Sequence, residues 1–134
     1  EDYTNSMGTV RTREGNELTY DRTYLPVVAA EAGITAVDTV WSNFKDMDGF
    51  EEEVKWAKTL GFTGKSCIHP SQIRPAHRLF SPSEEEIEHA QKIIDAEREA
   101  TAKGIGVFTV ENKMVDYPII NKARRILIQS GRLK

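Results

Sequence analysis

Between Glu14 and Pro70 the sequence switches repeatedly between helical and strand patterning, and that alternation restricts the chain to few folds. Glu14 to Ala32 is rich in helix formers. Leu18, Leu25, Val28 and Ala29 form a rough apolar stripe, Pro26 suggests a kink, and Gly33 stands where a left-handed C-terminal cap belongs. Ile34 to Trp41 carries the run Ala36-Val37-Asp38-Thr39-Val40, which reads as a short buried strand. Gly49 to Leu60 places Phe50, Val54, Ala57 and Leu60 at helical spacing with Gly61 as the stop, and Lys65-Ser66-Cys67-Ile68 is again strand-like before His69-Pro70. Strands separated by helices of this length pair in parallel, because a crossover helix must return the chain to the same end of the sheet. The class is therefore α/β. A parallel sheet is normally covered on both faces and rarely this small, so more strands are expected upstream.

The second half reads as helical with one extended interruption. Ser71 to Phe80 is a short helix around Pro75, and Ser81-Pro82-Ser83 introduces the longest helix. Ser83 and Glu86 have capping-box spacing, the Glu-rich first turn suits the positive end of the helix dipole, and Ile87, Ala90, Ile94 and Glu97 mark one face up to Gly104. Val107, Phe108 and Val110 before Glu111-Asn112-Lys113 suggest an extended element or hairpin. Asp116-Tyr117-Pro118 then opens a final helix with Ile119, Ile120, Ala123, Ile126 and Leu127 as its stripe and Gly131 as its end.

Composition excludes several classes. With 134 residues, 39% of them hydrophobic, the chain can bury one ordinary core and is not a disordered tail. No window approaches the roughly 18 consecutive apolar residues of a membrane span, and the first residues lack the basic start and apolar core of a signal peptide, so a cytoplasmic location is the default. The single Cys67 rules out an internal disulfide or a cysteine zinc cluster. A net charge of −3 with scattered basic residues gives no reason to expect nucleic acid. Lys122, Arg124, Arg125, Arg132 and Lys134 gather near the C-terminus, where cations complement a helix dipole. The chain opens at a charged dipeptide without an initiator Met, so a fragment of a longer protein is expected.

Two motifs need weighing. Gly61 to Ser66 suggests a phosphate loop, but that motif requires glycine where Thr59 stands, and its Lys should open a helix and not a strand. His69, His77 and His89 lack the spacing of a metal-binding helix. His69 is different in position: it ends an expected parallel strand, and ligands sit at the C-terminal ends of such strands.

The run Gly61-Phe62-Thr63-Gly64-Lys65-Ser66-Cys67-Ile68-His69-Pro70-Ser71-Gln72-Ile73, followed by Phe80-Ser81-Pro82-Ser83 and a Glu-rich helix, closely resembles the last barrel strand and following segment of the citrate lyase beta-subunit family, which includes citryl-CoA, malyl-CoA and citramalyl-CoA lyases. Glu1-Asp2-Tyr3 with Met7-Gly8 and Arg11-Thr12 resembles the segment after that family's sixth strand, and Ala36 to Val40 its seventh. Lys113-Met114-Val115-Asp116-Tyr117-Pro118 is similar to its C-terminal lid motif. The likeness runs through the whole chain in order.

The resemblance implies the C-terminal portion of a TIM (β/α)8 barrel: residues 1–103 would run from the end of the sixth strand through the helix after the eighth, and residues 104–134 would form a lid of hairpin and helix. A whole barrel needs about 250 residues, so the earlier strands, with the family's Glu ligand and substrate-binding Arg, would precede Glu1. The implied activity is a Mg²⁺-dependent carbon–carbon lyase that splits a CoA or acyl-carrier thioester of a hydroxy acid, such as citryl-CoA, into an acetyl thioester and a keto acid such as oxaloacetate. The isolated piece would be inactive. A homo-oligomer, a trimer, is implied as well, with the lid reaching a neighbouring subunit. Residue by residue, the resemblance makes Asp2 one of two carboxylates on Mg²⁺, Asp116 the acid and base, and Ile68, His69, Pro70 and Gln72 contacts to the CoA arm or to loops supporting it. Each has a plainer reading. Asp2 is also an ordinary solvated acid, Asp116 an ordinary N-cap, and Asp38 an interior hydrogen-bonded acid without catalytic duty. The rival activities are a thioesterase of the same family, a malyl-CoA or citramalyl-CoA lyase, and a non-catalytic α/β assembly module.

Overall fold

Helix formation in this chain is fixed at its ends by local chemistry, and the computed structural model, which describes residues 2–133, shows those end signals at work. After a short helix α1 (Asp2–Met7) and a single 3-10 turn, α2 (Thr19–Glu31) continues through Pro26, and Gly33 takes the left-handed φ of 67° that releases the chain. α3 (Met47–Leu60) begins where the Asp46 carboxylate accepts the Gly49 N–H at 3.0 Å and stops at Gly61, with φ 103°. Between these helices lie the strands β1 (Val37–Asp38) and β2 (Gly64–Lys65), paired in parallel with Val37 opposite Gly64 and Asp38 opposite Lys65. A capped 3-10 turn over Pro70–Gln72 leads into α4 (Ile73–Phe80).

The expected parallel pairing is thus present, but the strands are shorter than the patterned runs 34–41 and 65–68. A strand is extended by each neighbour it pairs with, and among the described residues β1 and β2 pair only with each other. The expected stripe on α2 also divides: Leu18 and Ala29 are buried, whereas Leu25 and Val28 are exposed and Arg22 and Pro26 take inward positions. Phe50, Val54, Trp41 and Ala76 form one apolar cluster, and Ala29, Ala36, Ala57 and Phe62 another.

Residues 81–134 make a second compact unit, separate from residues 1–80. The capping box at Ser83 is formed in both directions: Glu86 N–H donates to Ser83 Oγ at 3.1 Å, and Ser83 N–H donates to Glu86 Oε2 at 2.8 Å. It opens α5 (Glu84–Ala102), which is followed by β3 (Phe108–Val110), β4 (Lys113–Val115) and α6 (Tyr117–Gln129). β3 and β4 are antiparallel, joined by Glu111 and Asn112 at φ 52° and 63°, the positive values a two-residue hairpin turn requires. Ile87, Ala90, Ile93 and Ile94 of α5 pack with Val115 and with Ile120, Ala123 and Leu127 of α6.

The long helix therefore shares a core with the hairpin and last helix. The break between the two compact units falls between Phe80 and Ser81. Sequence patterning shows that α5 has an apolar face; it does not say which elements will cover it. No helix among the described residues is long and apolar enough to cross a membrane.

Candidate functional site

Parallel pairing brings the C-terminal ends of β1 and β2 to the same edge, so the two loops that leave them are neighbours. Gln72 fastens these loops together. It is fully buried; its Oε1 accepts from the N–H groups of Ile68 at 2.9 Å and His69 at 3.3 Å, and its Nε2 donates to the Trp41 carbonyl at 3.0 Å. Its carboxamide is thereby committed to backbone groups of both loops. Ile68, His69 and Pro70 are exposed beside it. The His69 ring is held by the Ser71 N–H, which donates to Nδ1 at 3.2 Å, and it stacks on Phe44 from the other loop with ring centroids 4.7 Å apart.

Behind this edge lies a quartet of charges, one from each neighbouring element, with Arg22, Asp38 and Lys65 buried and Glu53 partly buried. Arg22 of α2 donates through Nε to Asp38 Oδ1 at 2.9 Å and through Nη2 to Asp38 Oδ2 at 2.6 Å, while its Nη1 reaches Glu53 Oε1 of α3 at 3.0 Å. Lys65 Nζ lies 2.8 Å from Asp38 Oδ2 and 2.5 Å from Glu53 Oε2. The Arg22 guanidinium also sits 4.3 Å from the centroid of the Trp56 ring. Two cations balance two anions, so no net charge is buried. Asp38 is the interior hydrogen-bonded acid expected from its place in a strand.

A cavity of about 290 Å³ opens against this quartet, lined by Tyr3, Thr4, Arg11, Asp38, Thr39 and Ser66 among others. Tyr3 donates its hydroxyl to Asp21 Oδ2 at 2.7 Å, and that hydrogen bond to a carboxylate holds the phenol's pKa above its ordinary value. Asp2, the expected metal ligand, precedes Tyr3 on α1 and is exposed. Its carboxylate is the hard oxygen donor that Mg²⁺ prefers, and such an ion keeps water or substrate oxygens in its shell. Among the described residues no three His, Cys, Asp or Glu side chains gather to complete a metal site. Asp2 therefore fits such an ion in kind, as a single oxygen donor.

Asp116 belongs to the second unit. It follows β4 directly, is exposed, and accepts the Ile119 N–H at 3.4 Å as the N-cap of α6. The plain capping role is real, and its length leaves the carboxylate only loosely held.

Sequence patterning did not single out Phe44, Arg22 or Glu53. Phe44 stands in a loop with no periodicity to mark it. An Arg and a Glu on helices read as solvated unless their buried partners are known.

The HpcH/HpaI aldolase/citrate lyase family model matches residues 1–70. The citrate lyase subunit beta of Haemophilus influenzae is 44% identical over 127 residues, 95% of this chain and 44% of that protein. The mitochondrial citramalyl-CoA lyase of Homo sapiens is 34% identical over 134 residues, all of this chain and 39% of that one. The crystal structure of the protein CitE from Mycobacterium tuberculosis in complex with magnesium, acetoacetate and coenzyme A aligns with a TM-score of 0.77 at 29% identity, covering 96% of this chain and 48% of that one. The chain spans less than half the length of these relatives. With more than half its residues inside the family model and the likeness extending through both compact units, the chain belongs to the HpcH/HpaI aldolase/citrate lyase family.

Proposed function

We propose that this chain is the C-terminal part of a Mg²⁺-dependent lyase that cleaves a hydroxyacyl-CoA thioester, citryl-CoA in the first instance, into an acetyl thioester and a keto acid such as oxaloacetate. The observation that carries this reading is the likeness to a citrate lyase beta subunit, 44% identical over 95% of the chain. A citramalyl-CoA substrate is the second reading, favoured by 34% identity over the full chain to the mitochondrial enzyme. On this proposal residues 1–103 complete a TIM barrel whose earlier strands lie upstream, residues 104–134 are a lid reaching a neighbouring subunit of a homotrimer, and the enzyme works in the cytoplasm.

The reaction breaks the bond between the α and β carbons of the acyl chain. The β-hydroxyl loses its proton as its carbon becomes a carbonyl, and the electron pair of the broken bond passes to the thioester as an enolate. Mg²⁺, when bound, supplies Lewis-acid polarisation at the hydroxyl-bearing centre. Asp2 would give one of its oxygen ligands. Asp116 would take up that hydroxyl proton and deliver it to the α carbon of the enolate, a task suited to an exposed acid between β4 and α6 once a bound thioester excludes water around it. Ile68, His69 and Pro70 would border the CoA arm, and Gln72 would hold their loop.

The test is to join this chain to the preceding barrel strands and follow keto acid formation from citryl-CoA, malyl-CoA and citramalyl-CoA. Activity is expected with one of these, abolished by EDTA and restored by Mg²⁺. Asp116→Asn should lower kcat by about 100-fold or more while leaving the helix capped, since Asn caps as well as Asp. Release of CoA without a keto acid would make the protein a thioesterase, and no Mg²⁺-dependent turnover of any thioester would leave a non-catalytic module.

A further inference from the structure

Phe44 and His69 are stacked with their planes 17° from parallel, yet neither belongs to an apolar cluster. Phe44 is 42% exposed and His69 is exposed too. A stacked pair inside a core needs no explanation beyond burial; this one faces water at the ligand-side edge of two parallel strands. Both rings are also held in place before any ligand arrives. On the Phe44 side, the Trp41 indole N–H donates to the Asp46 carbonyl at 3.0 Å and the Asp46 N–H donates to the Asn43 carbonyl at 3.0 Å, closing the loop around Phe44. On the His69 side, Ser71 holds the ring, and Gln72 ties both loops to one another. Such preorganisation removes the ordering cost that usually weakens an exposed aromatic contact.

Flat, polarisable surfaces of this kind bind other flat rings. Every purine has a π face, and aromatic side chains at the surface bind bases by stacking on them. Lys45 follows Phe44 directly, is exposed, and has no carboxylate partner among the described residues, so a cation stands next to the platform where phosphates could be met. We infer that Phe44 and His69 form a stacking platform for the purine ring of a nucleotide-bearing thioester, making Phe44 a specificity-determining residue. The inference rests on the lyase reading for the identity of the thioester. It adds that the nucleotide end is recognised directly, so that a CoA thioester is preferred over the same acyl group on a bare pantetheine arm.

The joined protein is assayed with matched CoA and pantetheine thioesters, and adenosine 3′,5′-bisphosphate binding is measured by calorimetry on the same samples. The wild type should favour the CoA thioester through KM. Phe44→Ala should raise KM for the CoA thioester and weaken the bisphosphate by about tenfold or more, leave the pantetheine thioester unchanged, and be rescued by Phe44→Trp. Equal losses on both thioesters, or no loss on either, would overturn the platform while leaving the lyase reading intact. Turnover of neither thioester alongside Phe44-dependent binding of the bisphosphate would retain the platform and remove the lyase reading; no binding of the bisphosphate by the wild type would remove the platform.

Discussion

Asp46 shows how much one side chain can set. Its carboxylate accepts the Gly49 N–H at 3.0 Å to start α3, and it also accepts from Arg13 Nη2 at 2.9 Å. The backbone hydrogen bond first, and Arg13 second, hold its pKa below the ordinary carboxylate value. A carboxyl whose folded pKa is depressed contributes stability above its unfolded pKa and loses it as pH falls through the folded one. Urea midpoints of the wild type and Asp46→Asn should therefore differ near neutrality and converge in acid, below the usual carboxylate range. Asn keeps the cap, so the difference reports the charge. Gly49 is held by the same geometry: a Cβ there would lie 2.6 Å from Asp46 Oδ2 and 2.7 Å from Trp41 Cζ2. At this scale much was legible. Ser83 with Glu86, Asp116 before Tyr117-Pro118, and glycines 33 and 61 all act through neighbours a few residues away, and the structure shows each end signal where its spacing put it. Gln72 was legible only in part, because its partners include Trp41, far off in the sequence.

Elements are joined here by charge as well as by apolar packing. The Arg22, Asp38, Glu53 and Lys65 quartet links α2, β1, α3 and β2, and the Lys65 side chain has no exposed surface. Removing one member leaves an uncompensated buried charge, so Lys65→Met should destabilise residues 1–80 by about 3–5 kcal/mol in urea unfolding. The contrast is Arg78 with Glu51, 2.6 Å apart but with side chains 62% and 28% exposed. Arg78→Ala should cost no more than about 1 kcal/mol. Equal bond lengths thus carry unequal weight because water screens one pair and not the other. Sequence patterning found β1 through the β-branched residues around it and placed Asp38 inside, and it met β2 only at Lys65; it could not size the strands or name the cations beside Asp38. Both depend on residues brought together from four separate elements.

The whole chain contains two units with separate cores. Leu127, 1% exposed, packs in the α5 and α6 cluster, whereas Phe50 and Val54 fill the first unit. Leu127→Ala should cost about 2–5 kcal/mol, read by hydrogen exchange as lost protection in α5 and α6 with α3 retained; Lys65→Met should give the reverse. Loss of protection in both units from either substitution would mean that they unfold as one. The sequence by itself determined the α/β class, the capping residues at Gly33, Gly61, Ser83 and Asp116, and the parallel sense of β1 and β2, because these follow from local periodicity, capping chemistry and crossover geometry; its run of motifs carried the resemblance to the family. Only the tertiary structure decided that α5 shares a core with the hairpin and α6, that the inward face of α2 carries Arg22, and that Phe44 meets His69. Those outcomes are choices among partners distant along the chain, and an apolar or charged face records that it must be covered without recording by what.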